Sequence, residues 1–241
     1  MRGRSPEELQ RQYYAATGAQ YDDLHTSDQM DEHYLALHVM DSLADSFGLK
    51  TFLDVGAGTG RGVLFLAGRR RNVTGVEPVK ELIVQAVSRG ASRNSMIRGT
   101  GYALPFENQS VDAVFECGVL HHVAHPSRVV AEMARVAKKA IFLSDGNRFG
   151  QGRYSTRVLK LLAHRAHLWR AFRFVRTLGR MYSLSDGDGL AYSYSVYDSY
   201  AQIAREFKRV WLIPTRTDGS VVSWLGPLLE AENVLLCAFR G

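Results

Sequence analysis

The chain has 241 residues, 46% of them hydrophobic and 22% charged, which suits one sizeable globular domain better than two separate cores. No apolar run approaches the roughly 18 residues of a membrane span, and "MRGRSPEELQRQYY" lacks the apolar centre of a signal peptide, so a cytoplasmic protein is expected. The net charge of +6 is a local property: nine Arg and Lys residues and no acid lie between Asp145 and Asp186, so the remainder of the chain is net acidic.

Taken in chain order, Ser5-Pro6-Glu7-Glu8 predicts a helix start, with a hydroxyl cap, proline in the first position and carboxylates in the first turn. A second helix is predicted from about Asp31 to Phe47, ended by Gly48. Residues 1–47 thus read as a helical cap. Alternation then begins. "TFLDV" (51–55), "NVTGVE" (72–77), "SMIR" (95–98), "VDAVFEC" (111–117) and "AIFLSD" (140–145) read as strands. A helix starts near Thr59, and "PSRVVAEMARVAKK" (126–139) carries Val129, Val130, Met133, Val136 and Ala137 on one helical face. Strands separated by amphipathic helices imply a mostly parallel sheet covered on both faces, an α/β fold. A helix near 197–207 and strands "VWLIP" (210–214) and "VLLCAF" (234–239) complete the pattern. Cys117 and Cys237 lie far apart in apolar stretches and read as free thiols, so neither a disulfide nor a metal site is expected.

The first strand runs into "FLDVGAGTGRG" (52–62), which places four glycines within seven residues before a helix. Glycine there lets a ligand approach the backbone, and the helix start favours polar or anionic groups. A phosphate loop would continue Gly-Lys-Ser/Thr, but Gly60 is followed by Arg61-Gly62. The dinucleotide pattern G-x-G-x-x-G/A fails in both registers, because its sixth position is Arg61 or Val63.

What remains is D-x-G-x-G-x-G, formed by Asp54, Gly56, Gly58 and Gly60. With Glu77 in "GVEP", with "GTGYALPFENQSVDAVFECGVLHHV" (99–123) and with the helix that follows, the sequence resembles the class I S-adenosylmethionine-dependent methyltransferases, most closely the type 11 group that includes quinone-biosynthesis methylases. The resemblance covers roughly residues 10 to 145. It implies a Rossmann-like seven-stranded sheet with the last strand antiparallel. It also implies S-adenosylmethionine as cofactor, held along Asp54, Val55, Gly56, Ala57, Gly58 and Gly60. Glu77, followed by Pro78, would take the ribose hydroxyls. Thr100, Gly101, Tyr102 and Ala103 would lie by the adenine, with Cys117 at the fourth strand end and Tyr21 from the N-terminal segment. Thr100 stands where the family usually carries an aspartate, and Lys138-Lys139 replaces a common Gly-Gly turn.

His121 and His122 follow the fourth strand, on the side where open α/β sheets bind ligands, and either is a candidate general base for the transfer. Asp145, Asn147 and Arg148 follow the fifth strand and are candidates to face the acceptor. The basic stretch lies within residues 148–195, a usual place for substrate-specific insertions in this family, and its apolar positions drift as in a kinked helix or two short helices. Three readings stand. It is a lid over an anionic or lipid-linked acceptor, a contact to an anionic membrane surface through residues 148–180, or a solvated helix pair. A nucleic-acid acceptor is disfavoured, since Glu116-Cys117-Gly118-Val119 occupies the place of a base-methylating Asn-Pro-Pro-Tyr motif. The activity expected is methyl transfer to a small-molecule, lipid-linked or saccharide acceptor. The alternatives are a nucleic-acid methylase or a non-catalytic protein that binds an anionic partner.

Overall fold

The structure, a computed structural model, describes residues 6–17, 32–185, 189–217 and 226–241. Helix α1 (Pro6–Thr17) and helix α2 (Glu32–Ser46) precede strand β1 (Thr51–Val55). Gly48, with φ of 58°, closes α2 in the left-handed region, and Leu49 N–H is donated back to Ala44 O. Helix α3 (Arg61–Gly68), strand β2 (Asn72–Glu77), helix α4 (Lys80–Ser88), strand β3 (Met96–Arg98) and strand β4 (Val111–Cys117) follow. After a single helical turn at Leu120–His122 come helix α5 (Pro126–Val136) and strand β5 (Ala137–Gly146).

The expected helix over 126–139 ends three residues early. Ala137, Lys138 and Lys139 continue without a turn into β5, because Ala137 pairs with Val111 and Lys139 Nζ reaches Gly48 O at 2.6 Å. Sheet pairing overrides the modest helical preference of alanine and lysine. The basic insertion then forms two helices, α6 (Tyr154–Arg165) and α7 (Trp169–Arg176), broken at His167 with φ of 58°. It closes with an antiparallel hairpin of β6 (Tyr182–Ser185) and β7 (Gly189–Tyr192). The reading of 148–195 as wholly helical is corrected here. Asp186-Gly187 and Asp188-Gly189 are hairpin turn signals flanked by alternating residues. Helix α8 (Val196–Ile203), strand β8 (Arg209–Thr217), the short helix α9 (Pro227–Glu230) and strand β9 (Ala231–Phe239) complete the chain.

The main sheet has seven strands in the order β3-β2-β1-β4-β5-β9-β8. β1 through β5 pair in parallel, and β9 runs antiparallel between β5 and β8. Alternation along the strands divides the core. Leu53, Val114, Ile141 and Leu143 meet α5 and α8 on one face, while Phe52, Phe115 and Phe142 meet α2 and α3 on the other. Helix α1 packs on β7 and α4. No described helix is long and apolar enough to cross a membrane.

Phe142 is fully buried at the centre of the second face. Phe142→Ala is expected to cost about 3–5 kcal/mol, the range for a large core aromatic truncated to a cavity, measured as a lowered urea midpoint at unchanged slope.

Candidate functional site

Four parallel strands end in a buried acid: Asp54 on β1, Glu77 on β2, Glu116 on β4 and Asp145 on β5. Each sits at the carboxyl edge of the sheet, where open α/β folds bind ligands. The four differ in charge. Burial, with Glu77 adding to it against the opposing charge of Arg61, pushes Asp54 up to about 7. Burial also pushes Glu77 up to about 7, against the N–H groups of Val79 and Gly58. Glu116 is raised well above the usual range by burial and then by the charge of Asp145. Burial would raise Asp145 too, but the charge and hydrogen bond of His121, with Gly146 N–H and His33, outweigh it and hold Asp145 below its ordinary value.

The glycine loop forms a cradle at the ends of β1 and β2. Gly56 and Ala57 N–H groups are donated to Val76 O at 2.8 and 3.1 Å, and Gly60 N–H to Ala57 O at 2.8 Å. Gly58 N–H is donated to Glu77 Oε2 at 3.0 Å, and Val79 N–H to Oε1 at 2.8 Å. The three glycines have φ of 76°, 54° and 83°, which excludes ordinary side chains. Their surroundings differ. A Cβ on Gly56 would meet Val119 Cγ2 at 2.5 Å, and one on Gly60 would meet Ala86 Cβ at 2.9 Å. One on Gly58 meets nothing nearer than 4.0 Å, so this backbone faces open space.

Val119 links the cradle to the turn that carries His121. His121 Nδ1 lies 2.7 Å from Asp145 Oδ1, and His121 N–H is donated to Oδ2 at 3.1 Å. The pair lines a cavity of about 1390 Å³ that runs from Arg61, Cys117 and Gly118 to the inner sides of α6, α7 and the hairpin.

Comparison with known proteins bears on this arrangement. Residues 53–143 match a family model described as a methyltransferase domain. The match spans the glycine loop, Glu77 and the His121 turn, the stretch that carries the sequence resemblance to methyltransferases. An uncharacterized methyltransferase of Mycolicibacterium paratuberculosis is 26% identical over 76% of this chain and 74% of its own length. Another, from Mycolicibacterium vanbaalenii, is 37% identical over 36% of this chain. The chain spans only 35–37% of the length of that protein and two further mycobacterial relatives. Among solved structures, magnesium protoporphyrin IX methyltransferase of Synechocystis with bound S-adenosylhomocysteine superposes at a TM-score of 0.59. It is 17% identical, and 96% of this chain and 98% of that one are covered. That likeness concerns the fold.

The residues at the glycine loop fit S-adenosylmethionine, the cofactor that the sequence resemblance implies. Glu77 is buried with two N–H partners, and a carboxylate has room for two further donors such as a diol. Gly58 leaves the space beside it open, and Val55, Ala57 and Pro78 flank the loop. The adenine-side segment is more committed to its own turn. Thr100 Oγ1 accepts from Tyr102 N–H at 3.3 Å, and a Cβ on Gly101 would meet Val129 at 2.9 Å. Tyr102 lies against the start of α5, with its hydroxyl accepting from His125 N–H at 3.2 Å, while Ala103 is exposed. Cys117 is half-buried on the cavity wall. Tyr21 lies outside the described residues.

Two expected site residues have other work. Asn147 is fully buried. Its Nδ2 is directed to Pro227, Leu228 and Ala231 carbonyls at 3.2, 2.8 and 2.9 Å, and its Oδ1 accepts from Phe149 N–H and the Ser195 hydroxyl. It ties β5 to α9 and α8 and does not line the cavity, which corrects its reading as an acceptor contact. His122 Nδ1 lies 2.7 Å from Leu190 O and its Nε2 lies 2.9 Å from Tyr14 hydroxyl, so it pins α1 to β7. Arg148 does line the cavity, but it holds Asp198 through both terminal nitrogens. The residue that sequence reasoning missed is Gly62, where a Cβ would collide with the Asp54 carboxylate and Phe115. Its place two residues after Gly60 was the available signal.

Asp54 and Glu77 bind protons more tightly folded than unfolded. Their contribution to stability is therefore full below about pH 4 and is lost as pH rises to about 7. Glu77→Gln carries no charge to bury. It is expected to remove a pH dependence of about 3 kcal/mol from urea unfolding between pH 4 and 8, and to weaken S-adenosylhomocysteine at least tenfold by calorimetry.

Proposed function

We propose that this protein is a methyltransferase that moves a methyl group from S-adenosylmethionine to a small-molecule, lipid-linked or saccharide acceptor bound in the basic cavity. The observation that supports it most is the convergence at one sheet edge of the Gly58–Glu77 cradle and the His121–Asp145 pair, joined through Val119, with the His121–Asp145 pair lining the basic cavity. Bound in the cradle, the cofactor supplies a methyl group activated by a sulfonium. The chain supplies position and a proton acceptor. Asp145, held ionised, accepts from His121 Nδ1 and fixes that tautomer, so Nε2 is the nitrogen that takes the acceptor's proton as its nucleophilic atom forms the new bond. Asp145 then stabilises the imidazolium. Tyr192, Tyr194 and Trp169 wall the cavity and exclude water from an acceptor seated there.

Thermal unfolding with S-adenosylhomocysteine, with NAD as control, tests the cofactor. At about a hundred times the dissociation constant a ligand adds roughly 2.7 kcal/mol, or about 5–10 °C for a chain of this size. No shift at millimolar ligand sinks the reading. For the base, His121→Gln and Asp145→Asn are each expected to lower kcat by about 10²–10⁴ while preserving the shift with S-adenosylhomocysteine. Radiolabelled methyl transfer to extracted metabolites, before and after the substitutions, supplies the rate.

A further inference from the structure

The wall of the cavity built by α6 and α7 is cationic and short of counter-charges, although Lys160 Nζ is donated to Arg148 O and Gln151 O and Arg173 to Met181 O. Lys160, Arg173, Arg176 and Arg180 line it together with Arg148. The two acids that line the cavity are engaged elsewhere, Asp145 by His121 and Glu32 by Asn233 and Arg216. Arg148 has Asp198, but among the described residues no carboxylate pairs with Lys160, Arg173, Arg176 or Arg180. Three N–H groups on this wall are buried without a hydrogen-bond partner: Arg148 Nε, Trp169 Nε1 and Arg173 Nε. Buried donors are satisfied in most folded proteins, and an unsatisfied one costs about 1–3 kcal/mol. The wall therefore has strain in two forms, like charges close together and donors with nothing to donate to. The same crowding shows in the titration of its members. Burial and then the charges of Arg176, Arg157 and Arg148 hold Lys160 below its usual value, and burial with Arg176 and Arg148 does the same to Arg173.

One ligand chemistry relieves both forms. A carboxylate would neutralise a single charge, whereas a phosphoryl group offers several acceptor oxygens and more than one negative charge, geometry that guanidinium forks match. We propose that the cavity contains an oxyanion subsite in which Lys160, Arg173 and Arg176, with the indole N–H of Trp169, seat a phosphate or diphosphate group of the methyl acceptor. This rests on the methyltransferase reading and narrows its acceptor to a phosphorylated one. The anion is held on the helical wall, and the atom to be methylated lies toward His121 at the sheet edge. Two sources share this chemistry, a soluble phosphorylated metabolite and a lipid headgroup. The second has its own support, because Leu178 and Leu184 on the cavity rim are 89% and 61% exposed, beside Phe174 and Val175 on α7.

Inorganic pyrophosphate is the probe, followed by thermal unfolding against sodium chloride of equal ionic strength. At ten times its dissociation constant it is expected to raise Tm by roughly 3–6 °C. Among the described residues the Arg176 side chain makes no ion pair or hydrogen bond, so Arg176→Gln is expected to leave the fold intact and to weaken pyrophosphate at least tenfold. Arg170→Gln removes the same charge from an exposed position outside the cavity and is expected to leave pyrophosphate binding unchanged. A response no larger than that to sodium chloride, or equal weakening by both substitutions, overturns the subsite. Pyrophosphate binding without a response to S-adenosylhomocysteine keeps the subsite and sinks the methyltransferase reading instead. Vesicles separate the sources. Sedimentation with phosphatidylglycerol but not phosphatidylcholine vesicles, reversed by pyrophosphate, makes the anion a lipid headgroup. Pyrophosphate binding with no vesicle association, or with association that pyrophosphate does not reverse, makes it a soluble phosphate.

Discussion

Burying a carboxylate at the end of a strand is expensive unless nearby N–H groups turn toward it, and this chain does it four times along one edge of its sheet. The cost organises the loops. Glu77 draws in Gly58 and Val79, Glu116 draws in Val119, and Asp145 draws in the backbone and ring of His121. The loop after each strand is shaped by the acid that ends that strand or its neighbour. The glycines follow from the same demand, since Gly58 must bring its N–H to Glu77 and Gly62 must leave room for Asp54. The glycine loop and the His121 turn are therefore consequences of one constraint applied to different strands.

The charge states along that edge are graded. Burial and then the charge of Asp145 raise Glu116 well above the usual range, while His121, Gly146 N–H and His33 hold Asp145 below its own. Two ionised carboxylates at that spacing would each raise the other, so the pair divides one charge unequally. Asp54 and Glu77 sit between, near neutrality, where a ligand's donors or a nearby guanidinium can settle their state.

The sheet was legible because buried parallel strands read as short apolar runs, and "TFLDV", "NVTGVE" and "VDAVFEC" match β1, β2 and β4 residue for residue. The antiparallel last strand was implied by family resemblance and is β9. The helix boundary at Val136 was not legible, because strand pairing to Val111 leaves no mark on the Lys138-Lys139 sequence itself. At the site, the loop and its acid were visible through spacing. The division of labour between His121 and His122 was not, because it depends on Tyr14 and Leu190, more than sixty residues away in either direction. Asn147 misled for the same reason: an amide after a strand looks available until α9 and α8 arrive to use it.

The place of β9 in the sheet has a consequence for assembly. It fills the gap between β5 and β8, and the basic wall of the cavity, α6, α7 and the hairpin, is threaded between β5 and β9 in the sequence. Pairing Ala140 with Phe239 closes a loop of nearly a hundred residues, and chain entropy must be lost to close it. The β1–β5 half of the sheet, with its glycine cradle, depends on shorter-range pairings. The basic wall of the cavity thus depends on the docking of β9: without that pairing, α6, α7 and the hairpin belong to an open loop.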